Sequence, residues 1–189
     1  MFELYLLYIL LLLKEVDHMK KWVALILSIA LVLSLAACSN HHDAYLALNQ
    51  ALKDKNYTTE LTVGGSANES VVQQLGFSDV KAVASISFLK STSTEKCNGF
   101  AYVFSFKNET EAVSGFAAAL KMYLAMGLAF KTVDSDNGKK AIFQSGDKAM
   151  TILTQAGNTV IYTTECWETT PKGGVYEAGL GKILEDLGY

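Results

Sequence analysis

The densest run of reactive side chains in the chain is Glu165-Cys166-Trp167-Glu168. Two carboxylates beside an indole are the residue types of a glycan-cleaving site, where one acid protonates the leaving oxygen and the other attacks or activates water. Charged residues leaving an edge strand, where they deter pairing with another chain, produce the same pattern and fit the tract better. A second run, Asp134-Ser135-Asp136-Asn137-Gly138, supplies the opening oxygens of a calcium loop. Its glycine comes one position early and no glutamate follows to close the site, so a tight turn between strands accounts for it. Three cysteines, Cys38, Cys97 and Cys166, complete the reactive groups. No P-loop, dinucleotide fingerprint, Gly-x-Ser-x-Gly elbow or Cys-x-x-Cys pair is present.

Composition narrows the chemistry further. Sixteen basic and nineteen acidic residues give a formal net charge of −3, too small and of the wrong sign for a nucleic-acid partner. Every basic residue is lysine, so the planar guanidinium fork that grips phosphate or guanine is missing. The three histidines, His18, His41 and His42, all precede the region that reads as folded. A Ser-His-Asp or Cys-His hydrolase, or a histidine-ligated zinc, needs an imidazole in the body of the domain. The adjacent His41 and His42 read as solvated linker. The sequence therefore assigns no catalytic residue, no metal site and no cofactor.

The elements that place these residues begin with an address. Residues 4–13 are apolar but too short to span a bilayer as a helix. A better start follows at Met19-Lys20-Lys21, ahead of an uncharged run over 22–37. A positive pair, an apolar stretch and small residues at its end make a secretory signal, so 1–18 read as an upstream extension and 19–37 as the signal peptide. The run closes on Leu35-Ala36-Ala37-Cys38, which resembles the lipobox of bacterial lipoprotein precursors. That resemblance covers 19–38 only and implies a specific fate. Leu35, Ala36 and Ala37 form the signal-peptidase recognition site, and Cys38 takes a diacylglyceryl group on its sulfur. Cleavage of the Ala37–Cys38 bond then makes Cys38 the first residue of a mature chain held by palmitate-type acyl chains. Each buried CH₂ contributes about 0.8 kcal/mol, so such an anchor holds firmly. Residues 38–43 become a polar spacer carrying the lipid, and 44–189 an exported domain on the extracytoplasmic side of the cell membrane.

Within that domain the periodicities alternate between helix and strand. Tyr45, Leu48 and Leu52 recur at helical spacing over 44–53, and the Thr- and Val-rich 57–63 reads as a strand. A short helix is predicted over 68–75 and a strand over 80–89, with a polar separator at 90–98. The clearest strand is 99–107, where Phe100, Tyr102, Phe104 and Phe106 alternate with small residues. This aromatic ladder is the core side of a half-buried sheet or, more sharply read, a platform on which a ligand could stack. Asn108 and Glu111 form a capping pair that opens a helix to about Met126. Strands over 129–133, 139–145, 148–154 and 159–166 follow as a meander, and a last helix over 175–187 ends the chain. The order gives an α+β domain, a mainly antiparallel sheet with helices packed on one face, small and single, after a lipoprotein signal peptide.

With Cys38 assigned to lipid, Cys97 and Cys166 remain as a pair outside the cytoplasm, where a disulfide is expected. One stands before a strand and the other ends a strand, so antiparallel neighbours would bring them together. The expected function is a membrane-tethered, non-enzymatic module at the cell envelope that binds an envelope protein or small ligand. The alternatives are a glycan-directed enzyme using Glu165 and Glu168, or a structural or inhibitory docking module. An enzyme should show a pocket with converging acids, and a binding module an exposed apolar patch rimmed by polar groups.

Overall fold

The computed structural model describes residues 44–128, 131–135 and 138–189. The expected signal peptide with Leu35, Ala36 and Ala37, the expected lipid-bearing Cys38, the expected spacer and all three histidines lie outside the described residues. The described chain runs α1 (Ala44–Asp54), β1 (Thr58–Val63), α2 (Ser66–Gln74), β2 (Val80–Ser91), β3 (Lys96–Phe106), α3 (Glu109–Ala125), β4 (Lys131–Ser135), β5 (Gly138–Ser145), β6 (Ala149–Ala156), β7 (Thr159–Trp167), α4 (Val175–Ala178) and α5 (Leu180–Asp186). The seven strands form one sheet in the order β1-β2-β3-β7-β6-β5-β4, and every adjacent pair is antiparallel. The α+β class and the mainly antiparallel sheet agree with the sequence.

The helices, however, cover both sides of the sheet rather than one. On the first side, α1, α4 and α5 bury Leu48, Leu52, Leu180 and Leu184 against Ile86, Val103, Ile152 and Ile161. On the second, α3 buries Phe116 and Ala119 against Phe104, Phe106, Leu153 and Val160. The reason lies in the alternation itself. In β3 the residues between the aromatics are Ala101, Val103 and Ser105, all buried, so the strand is covered in each parity. A half-solvated sheet would have left that parity open to solvent.

The aromatic ladder does meet the long helix. Asn108 is its N-cap, and the side-chain oxygen accepts from the Glu111 N–H at 3.0 Å, the expected capping bond. Gly115 faces the Phe106 ring at close range, with no room for a larger residue. Gly127, at φ 82°, ends the helix where a left-handed residue is needed.

Two element boundaries differ from expectation. The polar stretch 90–98 is mostly strand, because β2 and β3 run on to a tight turn at 92–95. There the Thr92 hydroxyl accepts from the Glu95 N–H at 2.9 Å, and Lys90 pairs with Glu95 at 2.6 Å. The last helix breaks at Gly179 into α4 and α5. Asp134 to Gly138 does form a hairpin, with Asp134 opposite Lys139 and Ser135 opposite Gly138; residues 136–137 lie outside the described residues. Among the described residues no group of three or more His, Cys, Asp or Glu could hold a metal ion. No described helix is long and apolar enough to cross a membrane.

Candidate binding face and a buried carboxyl

β7 is the middle strand of the seven, not an edge, and this decides the fate of the reactive run at its end. Successive residues point to opposite sides. Glu165 and Trp167 enter the first side, with Ile161, while Cys166 and Glu168 share the second. Glu165 is 0 % exposed. Glu168 is exposed and pairs with Lys96 at 3.2 Å. The two carboxylates lie on opposite sides of the sheet, and no substrate could meet both as acid and base.

The same parity corrects the disulfide. Strand β3 is the antiparallel neighbour of β7, so start does meet end as expected. The register, however, puts Asn98 opposite Cys166 and Cys97 opposite Trp167. Cys97 therefore turns into the first core, buried, while Cys166 is exposed on the other side, and both are free thiols. Proximity along the strands was inferred correctly; an offset of one residue reverses the side chain.

Glu165, on a central strand, is enclosed rather than exposed at an edge. Its Oε1 and Oε2 accept from the Leu180 N–H at 3.1 and 3.3 Å. The Cys97 thiol lies 3.8 Å from Oε2, within reach of a weak hydrogen bond. Burial pushes the carboxyl up to about 7, against the Leu180 amide and the Trp167 and Cys97 side chains, which favour the ionised form. Burial, then the neighbouring Glu165 carboxylate, raises the Cys97 thiol out of the range in which it is a nucleophile at neutral pH. The signal for this cluster was present in the sequence: Glu165 shares the parity of Ile161 and Trp167, an acid within an otherwise apolar row.

The second side of the sheet is only partly roofed. Beneath α3, Phe104 and Phe106 are buried, Tyr102 stacks on Phe104, and Tyr162 stacks on Tyr123 at 5.1 Å and 11°. The ladder then runs out from under the helix, and its last ring, Phe100, is 37 % exposed. Around it the register lays down two rows. Ser87, Phe100, Thr164 and Thr151 face one another across four strands, and Leu89, Asn98, Cys166 and Ala149 form the next row outward. Beyond Phe100, at the ends of β3 and β7, a depression of about 310 Å³ is lined by Leu89, Ser91, Cys97, Asn98, Cys166 and Trp167, together with the Lys96–Glu168 pair. Leu89 is 51 % exposed, and Leu124 and Met126 at the end of α3 are also open to solvent. The result is an apolar and aromatic surface flanked by uncharged hydroxyl and amide groups, with its two charges paired to each other.

No protein-family model and no curated protein matches the chain. Among solved structures it resembles the extracellular domain of PknH from Mycobacterium tuberculosis, with 10% sequence identity and a TM-score of 0.45 over 78% of this chain and 96% of that one.

Proposed function

We propose that the chain is a lipoprotein, anchored through Cys38 on the extracytoplasmic side of the cell membrane, whose domain binds a neutral glycan on the unroofed part of the sheet without transforming it. The anchor rests on Lys20-Lys21, the apolar run and Leu35-Ala36-Ala37-Cys38. The binding role rests on one observation: an exposed aromatic ring set among uncharged hydroxyl and amide side chains, with no acid pair nearby. A sugar ring has an apolar C–H side and a rim of hydroxyls. It is matched by an aromatic or aliphatic wall beside neutral donors and acceptors. Phe100 and Leu89 supply the wall; Asn98, Ser87 and Thr164 supply the polar partners.

Titration of the protein with an N-acetylglucosamine oligosaccharide, followed by amide chemical shifts, tests this reading. Shifts should concentrate at Asn98, Phe100 and Thr164, and Phe100→Ala should weaken binding roughly tenfold, the equivalent of about 1.4 kcal/mol. Shifts confined to other parts of the domain, or unchanged affinity in Phe100→Ala, would refute it.

A further inference from the structure

The seat of the C-terminal segment contains an ionisable group where an apolar one would pack as well. Val175, Leu180, Ile183 and Leu184 are buried against the first side of the sheet, and between them the chain lies directly on the Glu165 carboxyl. A Cβ on Gly179 would overlap that carboxyl, and the Leu180 amide is hydrogen-bonded to it. Removing the segment from the sheet and hydrating Glu165 are therefore one event.

The charged and titratable groups packed around this point leave the carboxyl without a counter-ion. From β2, Lys90 is engaged by Glu95 and sits over the Tyr57 and Trp167 rings. From β5, the Lys140 ammonium donates to the Tyr176 hydroxyl at 3.3 Å. On α5, Lys182 pairs outward with Glu185 and Asp186. β3 contributes the neutral Cys97 thiol, and the chain after α1 the buried Tyr57 phenol. Among the described residues no cation lies within ion-pair distance of Glu165.

We propose that Glu165 is a protonation-controlled latch: the neutral carboxyl lets residues 175–189 seat on the sheet, and its ionisation releases them towards solvent. The proton passes to bulk water, and the carboxylate left behind has the Leu180 amide and the Trp167 and Cys97 side chains, but no cation, in place of a hydration shell. An uncompensated buried charge is costly, and admitting water is the way to relieve it. Opening 175–189 admits water without disturbing the other side of the sheet. The position of the carboxyl's titration, near neutrality, puts the transition within the range an envelope protein meets.

Amide hydrogen exchange on the full-length protein in detergent, corrected for the intrinsic pH dependence of exchange, reads this directly. Between about pH 5.5 and 8.5 the protection of 175–189 should fall at least about tenfold, while that of α3 on the opposite side changes little. Glu165→Gln should keep 175–189 protected throughout. Constant protection of 175–189 in the wild type, or the same fall in Glu165→Gln, would overturn the proposal. The comparison of the two segments in the wild type stands even if the variant does not fold.

Discussion

Phe104→Ala is expected to lower the unfolding free energy by about 3–5 kcal/mol, the range for truncating a fully enclosed aromatic. Phe104 is 0 % exposed, meets the Phe77 ring edge-on at 4.9 Å and stacks against Tyr102 beneath α3. Neither the sheet nor the helix can collapse far into the space left, because each is held by its own hydrogen bonds. Chemical denaturation should show a lower midpoint with an unchanged slope, the signature of lost stability within the same fold. Phe100→Ala, on the same strand and the same side, should cost distinctly less, because its ring packs against Tyr102 and Tyr162 but is 37 % exposed. Equal costs at the two positions would mean that the ladder is roofed along its whole length, and the proposed glycan surface would not exist.

The second large effect is a pH dependence that runs against the usual carboxylate pattern. Burial holds the Glu165 carboxyl at about 7 in the fold, above its ordinary 4.5. A group raised on folding contributes stability that is complete below the unfolded value and lost as pH climbs through the folded one. The wild type should therefore lose on the order of 3 kcal/mol between about pH 4.5 and 7, and little more from this group above that. Glu165→Gln should be flat in the same window and more stable than the wild type at pH 8. The difference between the two proteins is the quantity to compare. The Thr170 hydroxyl holds the exposed Asp147 below its usual range. Parallel curves for wild type and variant would show that the carboxyl is hydrated in the fold.

How much of this was legible in the sequence depends on which physical signal carried it. The period-two ladder from Phe100 to Phe106 and the Asn108 cap each rest on a local rule, and the structure has both in place. The 139–145 and 148–154 hairpin was equally local, with Ser145 opposite Ala149 across the expected turn. What failed depended on partners far along the chain. Alternation tells which residues share a side but not whether both sides are covered, so the helices over 44–53 and 175–187 are expected from the sequence but their seat on the opposite side from α3 is not. The clue was Ala101 and Val103, small and apolar between the aromatics. The charges around Cys166 read as residues leaving an edge strand, where they deter pairing with another chain. Strand order, which places β7 at the centre, is set by long-range pairing. Cys97 and Cys166 were correctly expected at neighbouring strand ends, yet a one-residue register offset turned them to opposite sides. The break at Gly179 follows from Glu165 beneath it, which no helical periodicity encodes.

The proposed anchor at Cys38 would set where all of this operates. Metabolic labelling of producing bacteria with a fatty-acid analogue, followed by mass analysis of the N-terminal peptide, tests it most directly. The expected product begins at Cys38 and carries diacylglycerol on its sulfur, and Cys38→Ala takes up no label. Label retained in Cys38→Ala, or a mature chain that begins at any other residue, would contradict it.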